Sequence, residues 1–303
     1  MMSAVYLDEG LDKGAVWHFG QVAHEGRALA KGQAWADLSH RAVIKISGKD
    51  RVSWLHSLTT QHLEKLEPGT WQEALILDPK GHLEYQFYLV DDAEATYLHL
   101  DQVSAPPLIE YLEKMKFMLD VGVSSVSDSY AILKAPGLSD EIGGPYALLP
   151  RSELEATKQA FNKVATQAGI WALEAERIAT GRARIGFDSD HKSIPNELGL
   201  LNRAVHMAKG CYRGQETVAK VFNLGHPPRR LVLLHLDGSS VDIPNSKDPI
   251  TLDGKVIGYI GSVARHHELG PIGLGVIKRM TPADAILDVN GISASQEILV
   301  AIE

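Results

Sequence analysis

Cysteine is the scarcest chemistry in this chain. Cys211 is the single thiol in 303 residues, so no disulfide can close within it. That usage fits a reducing compartment. Long apolar runs are also missing. No stretch approaches the ~18 apolar residues of a membrane span. Met1 to Gly10 carries Asp8 and Glu9 and lacks the basic-then-apolar layout of a secretory leader. The expectation is a soluble cytoplasmic protein with no membrane partner. Positive charge is in deficit, with 30 Lys and Arg against 38 Asp and Glu and a formal net charge of -8. Broad attraction to polyanions is not expected, although a local basic patch stays open, and no direct nucleic-acid contact is expected.

Several catalytic signatures are absent too. There is no Walker-type loop, no Gly-x-Gly-x-x-Gly after a strand and no Gly-x-Ser-x-Gly elbow. One cysteine rules out a Cys-x-x-Cys pair, and the 13 histidines include no His-Glu-x-x-His. The densest group, His266-His267-Glu268, reads as exposed loop or strand-end residues. Neighbours on a strand point to opposite faces, which makes a poor ligand set. No metal site is expected.

What is present is an ordinary globular composition, 45% hydrophobic and 22% charged, with ample chain for sizeable cores. Residues 42–47 are β-rich and end at Gly48, after which Asp50 starts a helix with Val52, Leu55 and Leu58 on one face. Strands are predicted over 71–77, 83–89 and 95–100, with a turn at Asp78-Pro79-Lys80-Gly81. Pro106-Pro107 opens a helix striped by Leu108, Leu112 and Met115. Residues 120–150 read as short strands and Gly/Pro turns. A helix is predicted from Ser152 to Gln167, with Leu154, Phe161 and Val164 buried and Gly169 as its stop, and 171–190 reads as loop-rich. After Pro227-Pro228 the pattern turns to strands punctuated by Asp237-Gly238, Asp253-Gly254 and Asn290-Gly291. These dipeptides favour hairpins, and 225–303 reads as an antiparallel β-barrel or sandwich.

The most specific stretch is Lys209-Gly210-Cys211-Tyr212-Arg213-Gly214-Gln215-Glu216. Glycines bracket the thiol and cations stand two residues to either side, a setting that can favour thiolate. On spacing alone the alternatives stay open: a lone cysteine can be a small packed hydrophobe, Gly210 and Gly214 can serve backbone conformation, Tyr212 can pack, and Glu216 can cap a turn.

This octapeptide resembles the hallmark of the YgfZ family of folate-binding proteins, relatives of the T-protein (aminomethyltransferase) of the glycine cleavage system. Further pieces are similar to that family: Asp37-Leu38-Ser39, Ile46 to Asp50, the Asp78 to Gly81 turn, Arg177-Ile178-x-x-Gly181, Ile194-Pro195-Asn196-Glu197, and Gly273 to Arg279. The resemblance covers residues 36–280. It implies an α+β fold in a three-domain, T-protein-like ring with a C-terminal antiparallel β-barrel. Residues 1–48 and 120–224 would form a discontinuous folate-binding domain, 49–119 an inserted α+β domain, and 225–303 the barrel domain.

The resemblance also implies a cofactor, tetrahydrofolate or a derivative, lying in a central opening with Cys211 facing it as the candidate reactive thiol. Lys209 and Arg213 would lower the thiol's pKa or attract the folate tail. Asp78, Lys80, Arg177, Asn196, Glu197, Tyr212, Gln215 and Glu216 would hold the cofactor or its loop. For four of these a plain structural role competes: surface charge for Lys80, an ion pair for Arg177, turn formation for Asn196 and Glu197. Two positions depart from T-protein. Ala179 stands where that family has a pterin-binding glutamate, and alanine offers no carboxylate to the pterin's donor edge. The catalytic aspartate falls near Leu108, with Asp101 the nearest carboxylate upstream.

By resemblance, then, the chain binds folate and supports assembly or repair of iron–sulfur enzymes, with an indirect effect on tRNA modification. Transient partners would be such enzymes or their assembly factors. One cysteine cannot hold a cluster alone. The rivals are a folate-dependent aminomethyltransferase or demethylase-like enzyme, and a non-catalytic interaction scaffold.

Overall fold

The computed structural model describes residues 4–137, 146–225, 227–239 and 242–301. The start of the leader reading and the turns expected in 138–145 lie outside the described residues. Two compact units emerge. The first comprises Met1–Ile76, Tyr85–Leu173 and Ala208–Tyr212; the second comprises Leu77–Glu84, Glu174–Met207 and Arg213–Glu303.

In the first unit, alternating and β-branched runs build a five-stranded sheet. Its order is Gln72–Leu77, Leu83–Asp91, Thr96–Leu100, Ala42–Ser47, Gly122–Ser125, its first two strands running into the second unit's 77–84. The helices Arg51–Leu58 and Ala105–Met115 contribute Trp54, Leu55, Leu58, Leu108 and Leu112 to one core with Ile44, Ile76, Phe87 and Leu98 of the sheet. Pro106 and Pro107 fit the first turn of their helix, where no amide donor is required. A second sheet orders Tyr146–Pro150, Tyr130–Lys134, Ala34–Asp37 and Thr166–Ala168, the last two paired in parallel. Trp35 is fully enclosed between this sheet and Phe161.

The expected helix over 152–167 is shorter, Leu154–Asn162, and Thr166–Ala168 is a strand. Val164, expected on the buried side, is exposed. Gly169 is no helix stop. A Cβ there would sit 2.3 Å from the carbonyl oxygen of Trp17, so glycine permits a close backbone approach. The segment read as loop-rich begins with a helix, Ile170–Ala179.

The second unit holds a closed six-stranded barrel. Around it run Arg229–Leu236, Gly270–Lys278, Lys255–His266, Pro249–Leu252, Leu287–Val289 and Ile292–Ile298, every pair antiparallel. Val232, Leu234, Ile250, Ile260, Ile277 and Val289 fill its core. Asp253-Gly254 and Asn290-Gly291 form the two-residue hairpins their left-handed backbones favour. Asp237-Gly238 does not. The strand before it pairs with Gly270–Lys278 and Ile292–Ile298, not with the next strand in sequence.

Candidate functional site

The octapeptide divides at the unit boundary, with Lys209–Tyr212 in the first unit and Arg213 onward in the second. Lys209 is buried, and its ammonium donates to three backbone carbonyls: His56 O, Thr59 O at 2.7 Å and Gln61 O at 3.1 Å. It also lies 5.5 Å from the centroid of the Tyr212 ring. Burial lowers its pKa to about 8, against the opposing pull of Glu64. The turn that cages it follows the helix Arg51–Leu58, and the His56 carbonyl in that helix's last turn accepts from outside the helix. Cys211, two residues on, is exposed. Burial pushes the Tyr212 phenol up to about 12.

On the second-unit side, Arg213 pairs with Glu84 at 3.2 Å. The two cations flanking the thiol in sequence thus engage a carbonyl cage and a carboxylate. Gly214, at φ +80°, precedes the helix Gln215–Leu224, with Gln215 and the exposed Glu216 in the first turn. A Cβ on Gly214 would meet Asp78 O at 2.6 Å and Gly81 Cα at 2.8 Å. Gly210 has neither a left-handed backbone nor any atom crowding its missing Cβ, so of the two bracketing glycines only Gly214 is demanded by conformation.

The Asp78 turn is held by its own carboxylate, which accepts from the amides of Lys80 and His82 and from His82 Nδ1. Burial pushes that carboxyl up, but those hydrogen bonds and His82 outweigh it and hold the pKa low. Lys80 projects from the turn and is exposed.

The other residues drawn from the resemblance sit in a buried polar frame. Arg177 binds Glu174 at 2.7 Å, Asp188 at 2.9 Å, the carbonyl of Arg182 and the Ser262 hydroxyl. Burial works against its charge, yet Glu174 and Asp188 raise its pKa. Glu197 is 1% exposed and pairs with Arg229 at 2.8 Å, while Arg229 also grips Asp190. Asn196 donates to the carbonyl of Val218 at 3.2 Å, and its buried Oδ1 has no partner among the described residues. Ala179 offers no carboxylate, and Leu108 lies wholly within the hydrophobic core.

Sequence reading missed several members. Asp188 and Ser262, 74 residues apart, share two hydrogen bonds. His56, His62 and Glu64 bring potential ligand atoms together beside the Lys209 cage, and Glu176, His266 and His267 form a second such group. The expected strand-end placement of His266-His267-Glu268 and the exposure of Glu268 hold, but the imidazoles of His266 and His267 are nearly enclosed rather than exposed. Only the adjacency of the two histidines was visible beforehand.

Residues 2–139 match the family model of the GCVT N-terminal domain. The "tRNA-modifying protein YgfZ" of Edwardsiella ictaluri is 26% identical over 292 residues, covering 84% of this chain and 87% of that protein. The "Iron-sulfur cluster assembly factor IBA57 homolog, mitochondrial" of Mycosarcoma maydis is 24% identical over 246 residues. That match covers 71% of this chain and 61% of the fungal protein, less than two thirds of its length. Among solved structures, the glycine cleavage system aminomethyltransferase T of Bartonella henselae superposes with a TM-score of 0.79 at 15% identity, over 98% of this chain and 93% of that one. The likeness establishes a T-protein-type fold, and the resemblance to the YgfZ family and its aminomethyltransferase relatives is borne out. Among the described residues no helix is long and apolar enough to cross a membrane.

Proposed function

We propose that this chain, similar to the YgfZ family and carrying a GCVT N-terminal domain, binds tetrahydrofolate or a derivative and supports assembly or repair of iron–sulfur enzymes. Any effect on tRNA modification would follow indirectly, through clients that need their clusters. One observation carries the reading. The exposed thiol of Cys211 lies on a segment fastened just before it by the Lys209 carbonyl cage. Such a thiol is held at a defined place yet stays open to a partner, as a transient ligand or a redox group must be. The names of the fungal and Edwardsiella relatives support the same direction.

In this reading the folate-contacting roles divide. Lys80, exposed on a braced turn, serves the carboxylates of a folate tail. Tyr212 supplies a ring contact, Gln215 and Glu216 supply polar contacts, and Asn196, whose Oδ1 is buried, takes a second-unit polar role beside them. Arg177, Glu197 and Asp78 hold the frame through the bonds they already make. Lys209 and Arg213 hold the loop on either side of the thiol through the partners they engage. Aminomethyl transfer is disfavoured, because Ala179 lacks the pterin-binding carboxylate and Leu108 is sealed in the core. The three-part division at residues 48, 119 and 224 belongs to this proposal, as does a reducing, cytoplasmic setting.

The test is complementation of cells lacking their YgfZ-like protein, scored by an iron–sulfur-dependent tRNA modification. Wild type should restore it and Cys211→Ala should not; equal rescue by both would sink the thiol's role. Calorimetry with tetrahydrofolate should give binding, and its absence would remove the cofactor. A scaffold would show no folate binding and no effect of the substitution. An enzyme would turn over a methylated amine with tetrahydrofolate.

A further inference from the structure

We propose that Glu176, His266 and His267 form a site for a divalent first-row transition ion of the zinc type, independent of the folate reading. His266 ends the strand Lys255–His266 and pairs with Gly270, the first residue of the next strand. His267, Glu268 and Leu269 close the turn between them, so strand alternation ceases at His266 and the next imidazole is released from the opposite face. Glu176 arrives from the helix Ile170–Ala179, 90 residues earlier than His266.

The geometry suits a small ion. His266 Nε2 lies 2.9 Å and His267 Nδ1 3.4 Å from the same oxygen, Glu176 Oε1. One donor atom from each residue lies within 4.8 Å of the others. A tetrahedral ion with bonds of about 2.0–2.2 Å sets its ligands roughly 3.4 Å apart, so modest side-chain adjustment completes three corners. The imidazoles are nearly enclosed, at 7% and 3% exposed, whereas Glu176 at 21% leaves one side open for a fourth ligand. Behind His267, Glu268 Oε1 stands 3.7 Å from Nε2. With a metal on Nδ1 the ring proton sits on Nε2, and the Glu268 carboxylate, now beyond hydrogen-bond range, is near enough to turn and accept it. Two imidazoles and a carboxylate favour zinc, cobalt or nickel over magnesium or calcium.

His266 supplies the distinguishing signature. Its Nδ1 accepts the amides of Glu268 at 3.2 Å and Leu269 at 3.1 Å. Its proton is therefore on Nε2, directed at Glu176. An arriving ion takes the Nε2 lone pair, the proton moves to Nδ1, and both amide bonds are given up. Metal binding must then displace the Glu268 and Leu269 amide resonances, which binding elsewhere would leave in place.

The experiment uses the full chain stripped with EDTA and titrated with ZnCl2, followed by calorimetry and amide NMR. Wild type should bind one equivalent at this site and shift the Glu268 and Leu269 amides. Glu268→Gln should weaken binding about tenfold or more, the usual effect of losing a carboxylate behind a ligand. Glu176→Gln and His267→Gln should weaken it further, and His62→Ala should leave it intact. Metal-free circular dichroism and melting establish that each variant is folded. No zinc binding in wild type overturns the proposal. So does binding that persists in folded Glu176→Gln and His267→Gln, or that leaves both turn amides unmoved.

Discussion

Gly81 and Gly214 abut backbone to backbone: a Cβ on Gly214 would lie 2.8 Å from Gly81 Cα, and one on Gly81 3.1 Å from Gly214 O. Both are left-handed, at φ +84° and +80°. The Asp78 turn and the end of the cysteine loop thus need glycine twice over, for conformation and for space.

Gly214→Ala is expected to destabilise the chain by roughly 2–4 kcal/mol, combining left-handed strain with overlap against fixed backbone. Gly210→Ala should change stability by less than about 0.5 kcal/mol, as ordinary surface substitutions do. Urea unfolding of the two variants side by side measures the contrast; equal losses would contradict it.

Lys209→Met should cost about 2–4 kcal/mol, because the carbonyls of His56, Thr59 and Gln61 lose a shared donor in a buried place. Protease nicking near Gly210 should speed up, since the segment loses its tether before the thiol. Unchanged stability and unchanged nicking would show that the cage does not hold the loop.

His99 is fully buried among Trp71, Tyr88 and Tyr146, with neither ring nitrogen partnered among the described residues. Burial, and then Arg41, push its pKa well below 6.5. The unfolded chain therefore takes up a proton near pH 6.5 that the folded chain refuses. Stability should be full above that pH and fall as pH drops toward the folded pKa, by at most about 1.4 kcal/mol per pH unit. Urea midpoints at pH 7.5 and 5.5 should differ more in wild type than in His99→Phe. An equal difference would assign the acid sensitivity to other groups.

Glu197→Gln should cost about 1–3 kcal/mol, since Arg229 keeps Asp190 but loses its charge-assisted bonds to an enclosed carboxylate. Burial pushes Asp190 up, but Arg229 and the Lys192 amide hold its pKa below the model-peptide value of 3.8. Its contribution is present above that value and lost as pH falls through the depressed folded pKa. Acid unfolding of wild type and Asp190→Asn, compared below pH 4, measures it.

Local chemistry made much of this fold legible. Ile44 and Ile46, Leu83 and Phe87, and the proline-led helix with Leu108 and Leu112 signal their elements within a few residues. Asp253-Gly254 and Asn290-Gly291 turn back on adjacent strands, so a dipeptide was enough. Asp237-Gly238 misled because its strand's partners lie more than 30 residues onward. Thr166–Ala168 was hidden because its hydrogen bonds come from Ala34–Asp37, and Gly169 was misread because the backbone it accommodates belongs to Trp17.

The sequence by itself determined the fold class, the hairpinned barrel, and the one loop where a thiol stands among glycines and cations. Tertiary structure decided what those cations do. A lysine two residues from a cysteine can engage many partners, and here three carbonyls from residues 56–61 hold the Lys209 ammonium. Tertiary structure also decided that Arg177 and Glu197 are enclosed in ion pairs, and that Glu176 meets histidines 90 and 91 residues distant. Spacing along a chain carries backbone preference, whereas the partner of a buried charge depends on which distant segment folds against it.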